Sequence, residues 1–215
     1  MKKLICVGLL LCLLLCSLTA CFEKDDSATN KNEPSEDQLA VINTAFASPG
    51  SHFSLQITTK TGDISLNALC DIQKQQTYAG TYIDISYQFE QLNPIEIDES
   101  GTITVPQSDK SVYSGTARIQ NGVLVQVNGA EVSFPLPLVN VMGIRFTADN
   151  LSESRFENNT LTAKIKSPSA FFNAEIDATD MSVTLTLSET VVQQMTVNYR
   201  TADDTEVTLV YSAVQ

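Results

Sequence analysis

The sequence predicts a mainly β protein whose antiparallel sheet is strongly curved or forms an unclosed barrel. Most segments after residue 50 alternate apolar and polar residues with a period of two, which is typical of strands with one buried face and one solvated face. A single amphipathic helix precedes them, and two apolar stretches interrupt them. A sandwich and a closed barrel are alternatives, but the helix and the interruptions favour a sheet covered by short helices.

The first 21 residues have the pattern of an export signal. Lys2 and Lys3 precede an almost wholly apolar run from residue 4 to residue 15, and small residues then lead into the stretch Leu18-Thr19-Ala20-Cys21. The apolar run has about a dozen residues, fewer than the ~20 that a membrane-spanning helix needs. A plain secretory signal and an N-terminal transmembrane helix are the alternatives.

This stretch resembles the lipobox of a bacterial lipoprotein signal peptide. The resemblance implies that residues 1–20 are removed, that Cys21 carries a thioether-linked diacylglycerol, and that the mature protein is extracytoplasmic and anchored to the bacterial cell membrane. Two acyl chains are enough for stable anchoring without a protein span.

The numbers of cysteines and charged residues argue against an intramolecular disulfide and against nucleic-acid binding. Of the five cysteines, three lie in residues 1–20 and one is Cys21, so Cys70 is left without an intramolecular disulfide partner. Cys70 has the same parity as Leu66 and Ile72, whereas Leu69 has the opposite parity, so Cys70 is predicted to face the core. The mature chain would have 11 basic and 25 acidic residues, a net charge of −14, which argues against nucleic-acid partners.

The mature chain divides into a tether and one domain. Residues 21–34 are polar and aperiodic after the lipidated cysteine, which predicts a disordered tether. Residues 35–215 have the length of a single β-rich domain.

The domain is predicted to begin with a helix over about residues 36–47. Ser35 and Gln38 fit a capping box, apolar residues from Leu39 to Phe46 recur at helical spacing, and Ser48-Pro49-Gly50 ends the pattern.

Strands are predicted on both sides of several turn signals. Asn121-Gly122 is the strongest hairpin signal. The other turn signals are Thr61-Gly62-Asp63, Asn128-Gly129 before Val132 and Phe134, Asn158-Asn159, and Ala202-Asp203-Asp204 in a terminal hairpin.

Two stretches fit neither period. Residues 134–146 are apolar and contain two prolines; they are interpreted either as a lid or cavity-lining segment or as a core-packed crossover. In the first interpretation the candidate ligand-lining residues are Leu136, Leu138, Val141, Met142 and Ile144. Ser167 and Pro168 predict the start of a short helix.

A lipobox, an N-terminal helix and a long strand meander with insertions are together similar to the LolA-like and LppX/LprG-like lipoproteins. Over residues 36–215 the resemblance implies an unclosed barrel whose concave face and covering helices enclose a hydrophobic cavity for lipids, lipoproteins or glycolipids.

No catalytic motif is found in the sequence. His52 is the only histidine and is interpreted as an exposed residue without a catalytic or zinc-binding role, because partners for such a site are missing. We therefore expect no enzyme activity, no metal and no cofactor.

The predicted function is that of a lipid-anchored extracytoplasmic binding protein of the bacterial envelope, which holds a lipid or another apolar ligand. The alternative is an envelope protein–protein interaction or structural module without a ligand cavity. The sequence does not identify a protein partner.

Overall fold

One antiparallel sheet of ten strands organises the residues that the computed structural model describes. These residues are 33–48, 51–93, 96–97, 103–104, 109–129 and 136–214. The segments predicted as signal peptide, lipidated Cys21 and most of the tether lie outside them, as do Val132 and Phe134.

Twelve strands are described, ten in the main sheet and two short ones in a separate ladder. The main-sheet strands are β1 (His52–Thr61), β2 (Ile64–Thr77), β3 (Gly80–Leu92), β6 (Lys110–Gln120), β7 (Val123–Gly129), β8 (Leu151–Glu157), β9 (Thr160–Ile165), β10 (Thr179–Ser188), β11 (Val191–Arg200) and β12 (Glu206–Ala213). The short pair is β4 (Glu96–Ile97) and β5 (Ile103–Thr104).

The sheet consists of two meanders joined in the middle by the first and last strands. Its order is β7-β6-β3-β2-β1-β12-β11-β10-β9-β8, with every described neighbour antiparallel. In the central pair, Phe53 lies opposite Ala213 and Lys60 opposite Glu206. In the described part of the chain β7 and β8 are the two edges, so the sheet is not closed. The predicted fold class is confirmed.

Helix α1 (Glu36–Ala47) has the bounds and the capping box that the sequence predicts. The Ser35 side chain accepts a hydrogen bond from the Gln38 backbone N–H, and the Gln38 side chain accepts one from the Ser35 N–H. These two bonds satisfy donors that the first turn of a helix leaves open. Leu39, Ile42 and Phe46 form its buried stripe.

The helices and the segment 136–146 pack on the apolar face of the sheet. Besides α1, these are α2 (Leu136–Val139), a 3₁₀ turn (Val141–Gly143) and α3 (Pro168–Phe172). Ser167 caps α3 and Pro168 occupies its first turn, as predicted. A second 3₁₀ turn, Ala148–Asn150, leads into β8.

A row of aromatic rings fills the centre of this core. The Phe46 ring stacks on Phe53 and on Phe146, with centroids 5.7 and 6.2 Å apart. Phe171 packs edge-on against both Phe146 and Phe172, at 5.1 and 4.9 Å. Offset and edge-on aromatic pairs add to the stabilisation from burial alone, so the space between sheet and helices is occupied by the chain's own side chains.

The predicted strand parities are confirmed at the centre of the sheet and weaken at its margin. Cys70 and Ile72 are fully buried, and Leu69 points to solvent with half of its side chain exposed. Leu66, on the core-facing parity, is only half-buried. The turns at Asn121-Gly122 and Asn158-Asn159 place asparagines in the left-handed region that such turns favour.

Candidate functional site

The most structured polar surface lies on the face of the sheet opposite the core, across β1, β2, β3, β6 and β7. Strand register aligns two transverse rows of polar side chains there. We call these two rows the polar groove: His52, Gln73, Asp84, Arg118 and Gln126 in one row, and Ser54, Asp71, Ser86, Thr116 and Asn128 in the other.

The groove contains two adjoining hollows. One, of about 280 Å³, extends from Asp71 and Gln73 on β2, past Asp84 and Arg118, to the edge strand β7. The other, of about 530 Å³, extends towards β1. Asp71, Ser86 and Thr116 line both, so the two hollows form one continuous concavity. A third hollow of about 330 Å³ continues along β2 and β3 past Leu69 and Gln88.

Asp71 is held at the centre of the groove by two neighbours. The Nε2 atom of His52 lies 2.6 Å from one carboxylate oxygen of Asp71, and the Gln73 amide donates to the other at 3.2 Å. Both His52 and Asp71 are partly buried. His52 is therefore not the exposed residue that the sequence suggested; cross-strand pairing gives it a partner 19 residues away.

A bidentate ion pair lies within the first row, between Gln73 and Gln126. Arg118 donates from Nε and from one terminal nitrogen to the two carboxylate oxygens of Asp84, at 2.6 and 3.1 Å. The hydrogen bond and the charge of Asp84 raise the pKa of Arg118. The guanidinium carbon also lies 5.5 Å from the centre of the Tyr82 ring, within cation–π range. This geometry fixes the orientation of a long and otherwise flexible side chain.

Glu90, beside the third hollow, is similarly paired. It accepts hydrogen bonds from the Asn67 backbone N–H at 2.9 Å and from the Asn67 side chain at 3.1 Å, and Lys110 Nζ lies 3.3 Å away. The backbone hydrogen bond from Asn67 is the main reason that the pKa of Glu90 is lowered. Asp71, Asp84 and Glu90 thus each have a fixed hydrogen-bond donor.

The sequence-predicted ligand-lining residues lie on the other face. Val141 and Ile144 are fully buried in the core, and Leu138 and Met142 are half-buried against it. Leu136 begins α2, but its side chain is outside the described residues, as is Cys21, the predicted lipid site. The structure therefore brings four of the candidates together in the packed core, away from the polar groove.

The segment 136–146 is attached to its surroundings by a few specific hydrogen bonds. The Tyr211 hydroxyl donates to the Leu138 carbonyl at 2.7 Å. The Asn43 side chain of α1 exchanges two hydrogen bonds with the Phe146 backbone. The Arg145 backbone N–H donates to the Phe171 carbonyl at 2.8 Å. The Asn140 Oδ1 atom is buried and has no hydrogen-bond partner among the described residues.

The described residues offer no evident metal centre. No group of three or more histidine, cysteine, aspartate or glutamate side chains converges in the described parts of the chain. Cys70 is a free, buried thiol, and desolvation raises its pKa to about 12, which keeps it protonated and unreactive.

Sequence reasoning predicted the solvent-facing side of β1, β2, β3 and β6 near the centre of the sheet but missed the groove. On the edge strand β7 the predicted alternation is wrong, because Val123, Val125 and Val127 are all exposed. Part of the signal was present, because polar residues predominate on the solvent-facing parity of β1, β2, β3 and β6. Converting that signal into a site requires knowledge of which strands are neighbours.

Comparison with known proteins does not assign the chain to a family. No protein-family model matches the chain, and no curated protein matches it significantly. In the described part of the chain, none of the helices combines the length and apolar character required to cross a bilayer.

Proposed function

We propose that this chain is a lipid-anchored, extracytoplasmic binding protein of the bacterial envelope, without catalytic activity, and that it binds its ligand in the polar groove. The anchor rests on the resemblance of Leu18-Thr19-Ala20-Cys21 to a lipobox. The binding role rests on the groove.

The observation that supports binding is the continuity of the two hollows, together with the fixed side chains that line them. Ligand sites in proteins are concave and largely pre-formed, with a small number of polar groups that determine orientation. In the groove, Asp71 and Arg118 are both immobilised by hydrogen bonds before any ligand arrives. Less side-chain freedom is then lost on binding, which favours affinity.

The anchor is tested by cell fractionation of a Cys21→Ser variant. We expect the wild-type chain in the membrane fraction and the variant in the soluble extracytoplasmic fraction or medium, because the serine hydroxyl cannot form the thioether. Cys16→Ser is the matched control, since it changes the cysteine that directly follows the apolar run and leaves the lipobox intact. Retention of Cys21→Ser in the membrane to the same extent as Cys16→Ser would contradict the anchor.

A second candidate is an apolar ligand, such as a lipid, taken up between the sheet and the segment 136–146. The observation that favours it is the buried Asn140 Oδ1, because an unsatisfied buried acceptor costs about 1–3 kcal/mol and weakens the hold of this segment. Displacement of the segment would expose the core-facing side chains of Val141 and Ile144. Each methylene buried from the ligand would contribute about 0.8 kcal/mol.

Native mass spectrometry of residues 34–215, purified from bacteria without detergent, tests this second candidate. It predicts extra mass that is removed by organic solvent and identified as lipid. A Met142→Gln variant should carry less lipid, whereas Val112→Gln, an exposed valine on β6, should not change the load. A mass that equals the polypeptide alone, before and after incubation with lipid vesicles, would exclude lipid carriage and leave the polar groove as the binding surface.

A further inference from the structure

The charge balance of the polar groove indicates the class of ligand. The mature chain is strongly acidic, yet both carboxylates of the groove have fixed partners: Asp84 forms an ion pair with Arg118, and Asp71 is hydrogen-bonded to His52 and Gln73. An anionic ligand would be repelled by the net charge of the protein. A cation would have to displace partners that already occupy the carboxylate oxygens. The groove therefore favours an uncharged ligand.

The remaining side chains in the groove are hydrogen-bonding groups of mixed character. Hydroxyls line it at Ser54, Ser86 and Thr116, and amides at Gln126 and Asn128. Each hydroxyl or amide can both donate and accept hydrogen bonds. Such a surface matches a ligand whose own groups are hydroxyls, since each sugar hydroxyl also donates and accepts.

The same face also presents limited apolar surface. Leu69 is half exposed and borders the 530 and 330 Å³ hollows. Tyr82, half-buried beside Arg118, shares the solvent-facing parity of Asp84. Sugar rings carry C–H groups as well as hydroxyls, so isolated apolar side chains among polar ones suit them better than a continuous apolar patch would.

The dimensions favour a chain of sugars over a single one. Each row of the groove crosses five strands, and neighbouring strands lie ~4.8 Å apart, which gives a length of about 19 Å. The hollows are open along one side, so an extended molecule could lie across the strands.

We propose that the polar groove binds an uncharged oligosaccharide, laid across β1, β2, β3, β6 and β7. This inference deepens the proposed function and rests on it, because it names the ligand class of the same site. The Asp84–Arg118 pair and the Asp71–His52 pair would present fixed acceptors and donors to the hydroxyls at the two sides of the groove.

Isothermal titration calorimetry on the full-length protein, in a detergent without a sugar headgroup, tests the proposal. The probes are maltohexaose, cellohexaose and chitohexaose, which are uncharged, and a hyaluronan hexasaccharide, which is acidic. We expect at least one uncharged probe to bind and the acidic probe to bind more weakly. Failure of all three uncharged probes, or stronger binding of the acidic one, would overturn the proposal.

Two matched pairs of variants locate the binding. Gln126→Ala and Thr116→Val alter exposed residues in the groove, whereas Gln194→Ala and Thr184→Val make the same changes on the same face of the sheet outside it. Loss of one hydrogen bond should weaken binding by about tenfold in each groove variant, with less than about twofold change in its control. Equal effects within each pair would contradict a site in the groove. These results are independent of the Cys21→Ser fractionation, so a failure here leaves the anchored location standing.

Discussion

The Asn43 side chain and the Phe146 backbone form a two-way hydrogen bond, in which Nδ2 donates to the Phe146 carbonyl and Oδ1 accepts from its N–H, both at 2.8 Å. The amide thus makes the two hydrogen bonds that a neighbouring strand would otherwise make to the backbone of Phe146, which lies outside any strand. It connects the N-terminal helix to a segment 103 positions later, and it satisfies backbone groups that would otherwise be buried without partners.

We expect Asn43→Ala to lower the free energy of unfolding by about 1–3 kcal/mol, because it leaves the Phe146 N–H and carbonyl without these bonds. Chemical denaturation monitored by circular dichroism measures this. Asn198→Ala is the control: it removes an exposed amide that accepts one hydrogen bond from Thr208, and it should change stability by less than about 0.5 kcal/mol. Equal losses of unfolding free energy in the two variants would mean that the hydrogen bonds between Asn43 and Phe146 add no stability beyond that of an exposed amide.

The register of strand β2 can be tested by substituting asparagine at three of its positions. Ile72→Asn puts an amide into a fully buried site and should cost about 3 kcal/mol or more, whereas Leu69→Asn on the solvent face should cost less than about 1 kcal/mol. Leu66, although on the core-facing parity, is only half-buried, so Leu66→Asn should fall between them. Thermal melts of the three variants give the order; a reversal of Ile72 and Leu69 would contradict the register.

Cys70 makes stability sensitive to alkaline pH. Burial raises its pKa from 9.0 to about 12, so between these values the folded protein keeps a proton that the unfolded chain loses. The stabilisation is complete below pH 9 and is lost as the pH rises towards about 12. Tyr199, whose pKa is also raised to about 12 by burial, acts in the same direction.

Denaturation midpoints measured at pH 8 and pH 10.5 check this dependence. Cys70→Val should retain a smaller alkaline loss, because the tyrosine contribution persists. The native wild-type thiol should also fail to react with a maleimide at pH 7 and react fully in denaturant. Rapid labelling of the native protein would contradict the burial of Cys70.

Gly115 on β6 accommodates the ring of Tyr87 on the neighbouring strand. A Cβ atom at position 115 would lie 2.4 Å from the Tyr87 hydroxyl oxygen and 2.4 Å from the Asn128 carbonyl oxygen. We expect Gly115→Ala to cost about 1–3 kcal/mol through overpacking. Ser114→Ala, at the exposed neighbouring position, should be nearly neutral. A stability of Gly115→Ala equal to that of Ser114→Ala would mean that this close approach is easily relieved.

The elements that carry strong local signals were the ones that the sequence predicted well. Ser35 and Gln38 determine where α1 begins, and Asn121-Gly122 determines the hairpin between β6 and β7. The segment 136–146 carries no such signal, because its helical turns are short and are stabilised by contacts with Asn43 and Tyr211.

The polar groove could not be predicted for a different reason. Alternation predicts which side chains of one strand face solvent. The order of the strands in the sheet decides which solvent-facing side chains lie next to each other. His52 meets Asp71 and Asp84 meets Arg118 only because β1, β2, β3 and β6 are successive neighbours in the sheet. Long-range pairing of this kind leaves no mark in local periodicity.

The central pairing of β1 with β12 affects the order in which the chain can fold. Each meander pairs mostly strands that are close in sequence, whereas the central pair joins residues such as Phe53 and Ala213. Formation of non-local pairs is slow, because a long loop must close before any contact stabilises it. During synthesis, therefore, the two half-sheets can form early, but the middle of the sheet stays open until residues 206–213 have been made. A chain that ends before β12 would leave the backbone hydrogen-bonding groups along one edge of β1 unpaired, so the main sheet becomes continuous only when this last eight-residue strand is in place.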